Sequence, residues 1–315
     1  MAATPIILDC DPGIDDAIAI LLALASPEVE LLAITTVVGN TSLANATQNA
    51  LNILAWAGRE DIPVAAGESV AIGPPNDVPW NDAIGVHGET GLDGAELPRA
   101  ASTIVDEHAV DLIARAVLAR PGEITLVATG PLTNVALLLE RHPEVAPALR
   151  DLVIMGGSLA GGNMSEYAEF NIWCDATAAA QVLNAGLEPV VVGLDVTRQA
   201  TLSEADVYAL EALPVLGPGI HGMLLFYLQK HREWHGKNAV QQHDSLALSW
   251  VIDPTLLVLR PLALGVDASD GPARGETYVS DQPASAVTAR WAADLHAARF
   301  RELLLERLAT FADSR

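Results

Sequence analysis

Short apolar runs alternate with longer, helix-periodic segments along most of this chain, and this alternation limits the fold more than any other feature. The run 5–9 (PIILD) is followed by a loop and by a helical pattern over residues 16–25. The same order recurs in ELLAITTVVGN with LANATQNALNILAWAG, EITLVATG with PLTNVALLLERH, DLVIMGG with ATAAAQVLNAG, and PVVVGLD with SEADVYALEAL. Alternating buried strands and helices predict an α/β fold, with an open, mostly parallel sheet covered by helices on both faces. We expect one domain over residues 1–315.

Three further segments complete this prediction. Residues 216–250 are typical of two helices around a loop, and residues 292–312 (AADLHAARFRELLLERLATFA) of a terminal amphipathic helix. The stretch from Gly67 to Pro98 is rich in proline and glycine and shows little periodicity. It is longer than an ordinary connection, which indicates a functional loop or lid.

Charge and composition argue against several classes of protein. Forty acidic residues against 17 basic ones give a formal charge of −23, which would repel nucleic acid and anionic membranes. The only lysines are Lys230 and Lys237, so a phosphate-binding P-loop is absent. Cys10 and Cys174 fit neither a disulfide framework nor a zinc spacing and are expected in the core. Without a signal peptide or a long apolar run, the sequence predicts a soluble cytoplasmic protein.

Polar clusters follow four of the predicted strands directly. They are residues 11–16 (DPGIDD), 38–40 (VGN), 129–131 (TGP) and 156–157 (GG). Ligands of open α/β sheets bind at the carboxyl ends of the strands, where such loops meet. We therefore expect these four segments to converge on one pocket.

The first cluster carries an unusual density of acid. Asp9, Asp11, Asp15 and Asp16 lie within eight residues, at the end of a buried strand and the start of a helix. Helix N-capping accounts for one carboxylate there, but not for four that repel one another. A hard divalent cation resolves the repulsion, and oxygen ligands without a compact His or Cys cluster favour Ca²⁺ or Mg²⁺ over zinc.

The segment DCDPGIDDAIAI resembles the N-terminal DxDPGxDDAxA signature of the inosine-uridine-preferring nucleoside hydrolase family. Further matches follow in family order over about residues 4–250: VVGNTSLANATQNAL, HGETGLDG, ATGPLTNVALLL, VIMGG, AEFNIWCDA and HDSLAL. The resemblance implies a Rossmann-like nucleoside hydrolase fold with Ca²⁺ at the pocket floor. It also implies hydrolysis of the N-glycosidic bond of purine or pyrimidine ribonucleosides to base and ribose. The reaction would pass through an oxocarbenium-like transition state, with a metal-bound water as nucleophile.

The resemblance also implies metal ligands at matching positions. Asp11, Asp16 and Asp244 match metal-binding carboxylates, and the backbone carbonyl of Thr129 matches a further ligand. Asp15 matches the carboxylate that binds a ribose hydroxyl. Asp11 is the candidate base that accepts a proton from the nucleophilic water.

Sugar-binding and leaving-group residues transfer in the same way. Asn163, Glu169 and Asn171 match the family's ribose-binding trio, and Asn40 also maps to the sugar site. His243, immediately before Asp244, is the candidate acid for the departing base, because histidine changes charge near neutral pH.

The remaining candidates are expected to line the pocket beside the base or the ribose. His87 maps to a second pocket histidine, in a glycine-rich loop. Met155 and Phe170 are candidates for an apolar wall of the pocket, and a purely structural place in the hydrophobic core is equally open for each. Trp234 could stack on a base. The chain departs from the family pattern in FYLQKHREWHGKNAVQQHD, where His231 and His235 are further candidates, so the preferred nucleobase stays open.

Two other functions stay open at this point. A haloacid-dehalogenase-like phosphatase also places Asp-x-Asp after its first strand, but its chemistry needs a lysine and this chain has none before Lys230. A nucleoside or ribose sensor would keep the pocket without turnover. The family is commonly dimeric or tetrameric, so we expect a homodimer or homotetramer acting on a small nucleoside in salvage or catabolism.

Overall fold

The computed structural model describes residues 2–73, 85–281 and 287–312. The strands are β1 (Thr4–Cys10), β2 (Val29–Thr36), β3 (Val64–Ala66), β4 (Thr125–Ala128), β5 (Asp151–Met155), β6 (Val190–Val192), β7 (Thr201–Ser203), β8 (Ala239–Gln241), β9 (Leu257–Leu262), β10 (Leu264–Val266), β11 (Thr277–Val279) and β12 (Ala289–Leu295). The helices are α1 (Ile14–Ala25), α2 (Leu43–Trp56), α3 (Ala109–Ala119), α4 (Thr133–Arg141), α5 (Phe170–Cys174), α6 (Ala176–Leu183), α7 (Leu194–Thr197), α8 (Glu204–Leu210), α9 (Gly217–His235), α10 (His243–Ile252) and α11 (Ala297–Ala309).

Within the described residues, eight strands form the central sheet in the order β3-β2-β1-β4-β5-β6-β12-β9. Every neighbouring pair is parallel except β12 with the edge strand β9. The order reverses between β1 and β4, and open α/β sheets bind their ligands at such a point, outside the carboxyl ends of the strands. The predicted fold class is confirmed.

Both faces of the sheet are buried. In β1, Ile6 and Leu8 pack into a hydrophobic cluster with α1 and α10, whereas Ile7 packs into a second cluster with α3, α4 and α6. Successive strand residues point to opposite faces of the sheet. A strand whose side chains pack into a hydrophobic cluster on each face is therefore apolar at every position. This explains why the strands appear in the sequence as uninterrupted apolar runs. The expectation of one domain over residues 1–315 stays a prediction.

The C-terminal prediction is wrong over its first residues. Residues 292–295 belong to β12, and the helix α11 begins at Ala297. The alanines of AADL favour a helix locally, but β12 pairs with β9 along its whole length and with β6 at residues 290–291, and Trp291 and Ala292 are buried. Tertiary pairing overrides helix propensity here.

Two other predictions are refined. The expected loop between the helices of residues 216–250 contains β8, which pairs antiparallel with β7. The central part of the expected lid, residues 74–84, lies outside the described residues. Cys10 and Cys174 are both buried and free. None of the described helices has the length and apolar character needed to cross a bilayer.

Candidate active site

The turn between β1 and α1 forms the floor of the site. Gly13 precedes α1, and its N–H donates to Oδ2 of Asp16 over 3.1 Å. A Cβ atom at residue 13 would lie 2.8 Å from Nδ1 of His87 and 3.0 Å from Nδ2 of Asn40. The glycine therefore lets the acidic turn approach both side chains closely.

Three buried carboxylates meet above this turn. Asp15 and Asp16 in the first turn of α1 and Asp244 in the first turn of α10 each offer one oxygen, and these oxygens all lie within 4.8 Å of one another. Burial, and then the neighbouring Asp15, raise the pKa of Asp16 from 3.8 to about 7. Burial raises the pKa of Asp15 to about 6, and burial with the surrounding carboxylates raises that of Asp244 well above its ordinary value. Charges of one sign are thus concentrated in a low-dielectric site.

Asp11 lies beside this group rather than within it. Its Oδ2 accepts the backbone N–H of Asn40 over 2.6 Å, and its Oδ1 is buried without a hydrogen-bond partner among the described residues. Burial, followed by the charge of Asp16, raises the pKa of Asp11 well above its ordinary value. Oδ1 of Asp15 is likewise buried and has no partner in the described part of the chain.

These donors fit a hard divalent cation. All the converging groups are oxygens, and two buried carboxylate oxygens lack the partners that buried polar atoms normally have. Thr129, after β4, donates its hydroxyl to Asp16 over 2.8 Å, so this residue contacts the cluster, while its backbone carbonyl, the predicted ligand, accepts Nδ2 of Asn171. A bound cation would offset the repulsion that raises the carboxyl pKa values.

Asp9, the fourth acid of the motif, has another position. It is fully buried in β1, and its Oδ1 accepts the hydroxyl of Thr35 and Nδ2 of Asn134, the latter over 2.8 Å. Asn134 also donates to the carbonyl of Thr36 and accepts the N–H of Glu68. Asp9 therefore ties β1 to β2 and α4 and lies outside the cavity lining.

The segment between β5 and α5 supplies the sugar-site candidates. The Glu169 carboxylate caps α5, accepting the N–H groups of Asn171 and Ile172, and it also accepts that of Gly157 over 3.0 Å. Burial raises the pKa of Glu169 to about 7. Asn171 donates to the carbonyl of Thr129 over 2.7 Å, and Oδ1 of Asn163 accepts the N–H of Phe170 over 2.9 Å. These bonds fix the side chains relative to the acidic cluster.

Two histidines also line the cavity, His87 buried and His243 partly buried. Nδ1 of His87 accepts the N–H of Ile14 over 3.1 Å, and Nδ1 of His243 lies 2.7 Å from the hydroxyl of Thr197. Burial lowers the pKa of both rings to about 3, so both are neutral at pH 7. The Tyr227 ring lies 5.5 Å from that of His87, centroid to centroid, and His231 packs edge-on against Tyr227 at 4.5 Å.

One cavity of about 170 Å³ brings most of the sequence-predicted residues together. Its lining includes Asp15, Asn40, His87, Thr129, Met155, Asn163, Glu169, Phe170, Asn171, His243 and Asp244. Asp11 and Asp16 lie behind this lining, bonded to Asn40. Trp234 belongs to α9, but its side chain lies outside what the structure describes.

Sequence reasoning missed three lining residues, Val86, Met164 and Tyr227. Val86 and Met164 are neighbours of predicted residues and carry no chemical signal of their own. Tyr227 stands four residues before His231, so the two share one face of α9. That spacing could have identified Tyr227, since His231 was already a candidate.

The comparisons with known proteins agree with this geometry. The family model described as inosine-uridine preferring nucleoside hydrolase matches residues 6–302. The chain belongs to this family. Its members are ribonucleoside hydrolases, so the protein is an enzyme that acts on N-glycosyl bonds.

Similar relatives carry different specificities in their names. The chain is 40% identical to a non-specific ribonucleoside hydrolase, RihC, of Klebsiella pneumoniae, over 92% of this chain and 97% of the relative. It is 38% identical to a pyrimidine-specific ribonucleoside hydrolase, RihA, of Photobacterium profundum, over 98% and 99%. A purine-preferring ribonucleoside hydrolase from Gardnerella vaginalis superposes with a TM-score of 0.94 at 31% identity, over 99% of this chain and 100% of the other.

Proposed function

We propose that this chain is a Ca²⁺-dependent hydrolase that cleaves the N-glycosidic bond of purine or pyrimidine ribonucleosides to free base and ribose. The observation that carries the proposal is the convergence in one cavity of three kinds of group. They are buried carboxylates, a hydrogen-bonded Glu169 with three asparagines, and two neutral histidines. Each kind suits one part of the reaction.

The carboxylates would hold the cation. We assign Asp11, Asp16, Asp244 and the carbonyl of Thr129 as ligands, because all are oxygens and Ca²⁺ takes six to eight of them in a flexible geometry. When bound, the cation would lower the pKa of a coordinated water and polarise the sugar hydroxyls. The unpartnered Oδ1 of Asp15 stays available for a ribose hydroxyl.

Asp11 is proposed as the base. Its Oδ1 has no hydrogen-bond partner in the described chain and can accept a proton, while the Asn40 N–H holds the other oxygen. A positioned base contributes about 10²–10⁴-fold in rate.

The sugar would be bound by oxygen-rich side chains. Glu169, Asn171, Asn163 and Asn40, with Asp15, surround the space next to the cluster. They can orient the ribose hydroxyls and stabilise the positive charge that develops on the ring as the base departs.

The nucleobase would lie against the histidine side. His243, the candidate acid, is proposed to activate the leaving base by donating a hydrogen bond, because its ring is neutral at pH 7. His87 would be a second polar contact. Met155 and Phe170 would form an apolar wall, and Trp234 would stack on the base. We also propose a cytoplasmic homodimer or homotetramer, whose size light scattering after gel filtration would report.

A reducing-sugar assay tests the reaction. Purified enzyme, chelated and then reconstituted with Ca²⁺, is given inosine, adenosine, guanosine, uridine and cytidine, and the Asp11→Asn variant is assayed beside it. We expect ribose release that requires Ca²⁺ and falls at least 10²-fold in Asp11→Asn. Asp61→Asn, at an exposed carboxylate paired with Arg59, is the matched control. Nucleoside binding without ribose release would overturn the proposal.

A further inference from the structure

The hydroxyl of Thr197 makes one contact that the proposed reaction has not used. It lies 2.7 Å from Nδ1 of His243, a residue 46 positions away in the sequence. The Thr197 side chain is fully buried, and the distance is that of a well-formed hydrogen bond. A hydrogen bond of this length to one ring nitrogen limits the rotation of the imidazole.

Thr197 itself stands on a rigid support. It ends α7, which follows β6 directly, and its N–H donates to the carbonyl of Gly193. The N–H of Leu194, at the start of α7, donates to Gly157 over 2.9 Å, and a β-branched side chain has few rotamers. The hydroxyl is therefore held in place by the central sheet.

The backbone next to His243 is also hydrogen-bonded to the segment that carries Thr197. The N–H of Gln242, immediately before His243, donates to the carbonyl of Ala200 over 2.8 Å. The segment 194–200 thus binds both the backbone before His243 and the His243 ring. Its two contacts define the position and the rotation of the imidazole.

His87 shows the same arrangement with a backbone donor. Its Nδ1 accepts the N–H of Ile14, which can only donate, so the neutral ring carries its proton on Nε2. If the Thr197 hydroxyl donates to Nδ1 of His243, that neutral ring also carries its proton on Nε2. Both rings would then present an N–H donor in place of an acceptor.

We propose that Thr197 is a positioning residue that turns Nδ1 of His243 away from the substrate and keeps its Nε2–H directed at the leaving base. This inference rests on the proposed function, because it concerns how that reaction expels its leaving group. It also defines a substrate feature: the departing group carries a hydrogen-bond acceptor within reach of Nε2, as every natural nucleobase does.

The test compares two substrates in two variants. Thr197→Val keeps the shape of the side chain and removes the hydroxyl, whereas Thr197→Ser keeps the hydroxyl. Inosine and uridine have leaving groups that need a proton or hydrogen bond, and p-nitrophenyl riboside has one that does not. We expect Thr197→Val to lower kcat about ten-fold or more on the nucleosides, with KM and the p-nitrophenyl rate little changed. Thr197→Ser should restore most of the nucleoside kcat.

Thr133→Val is the matched control, because the Thr133 side chain is also fully buried and its hydroxyl bonds to Asp175 over 2.8 Å, away from His243. It should leave the ratio of nucleoside to p-nitrophenyl rates unchanged. His243→Ala should abolish any further effect of Thr197→Val in the double variant. If Thr197→Val does not fold, Thr197→Ser and Thr197→Ala are compared by the same ratio.

The outcomes separate the two proposals. Equal losses on both substrates, or no loss on nucleosides in a folded Thr197→Val, would overturn the positioning role. A wild-type enzyme that releases ribose from p-nitrophenyl riboside and from no nucleoside would instead overturn the proposed function.

Discussion

The buried carboxylate cluster predicts that the metal-free enzyme loses stability as pH rises. Below about pH 4 the Asp16 carboxyl is protonated in both the folded and the unfolded state. Between pH 4 and 7 the unfolded chain ionises first, because folding raises the pKa of Asp16 from 3.8 to about 7. The free energy of unfolding therefore falls over this interval, and the full loss is present above pH 7. Three pKa units correspond to roughly 4 kcal/mol.

Removing one charge from the cluster should reverse part of this loss. Asp244→Asn eliminates the repulsion between residue 244 and the two other carboxylates, whose oxygens lie within 4.8 Å. One such pair costs on the order of 3 kcal/mol at an effective dielectric constant of about 20. For a chain of 315 residues, the average entropy of unfolding converts this to a rise in Tm of about 5 °C.

Differential scanning calorimetry at pH 5 and pH 8, with chelator or with Ca²⁺, measures these effects. The wild type should melt lower at pH 8 than at pH 5 when chelated, and Ca²⁺ at about 100 times its Kd should add about 2.7 kcal/mol. Metal-free Asp244→Asn should melt above the metal-free wild type at pH 8 and respond little to Ca²⁺. A variant that melts lower and keeps the full Ca²⁺ response would refute the reasoning, and the exposed Asp61→Asn should change neither quantity.

Two further substitutions test the packing below the cavity. Gly13→Ala would place a Cβ atom 2.8 Å from Nδ1 of His87. We therefore expect at least a ten-fold loss of ribose release, with little change in far-ultraviolet circular dichroism. A normal kcat would show that the turn can accommodate the added methyl group. Asn134→Ala removes three hydrogen bonds, those to Asp9 and to the Thr36 carbonyl and the one from the Glu68 N–H, which then lacks its partner. A melting curve should show a loss of roughly 2–4 kcal/mol, and an unchanged Tm would contradict that expectation.

Local pattern was enough to predict most of the fold. The strands of the parallel sheet are buried on both faces, so each is a short apolar run, and the helices between them carry their own periodicity. The prediction was wrong where partners decide the structure. Residues 292–295 contain alanine and leucine, which favour a helix, but they form a strand because they pair with β9 and continue residues 290–291, which pair with β6 as well.

The site residues also differ in whether local sequence or the folded chain identifies them. Asp15, Glu169 and His243 lie in dense polar motifs, and the cavity brings them together. Tyr227 lies inside the helix α9, where only its spacing of four residues from His231 distinguishes a cavity-facing tyrosine from a core one. Thr197 is harder still, because its significance depends on a contact with His243 that only the folded chain creates.

The acidic cluster destabilises the fold, and the structure around it is correspondingly well packed and hydrogen-bonded. Buried carboxylates that repel one another destabilise the fold, and the chain places them at the junction of β1 and α1, which are buried almost throughout. Asp9 and Asn134 anchor the strand below, and the two hydrophobic clusters cover both faces of the sheet. A looser scaffold would let the carboxylates separate or reach water, and their pKa values would return to the ordinary range. The rigidity around Asp11 and Asp16 is thus what keeps the charge concentrated until a cation binds.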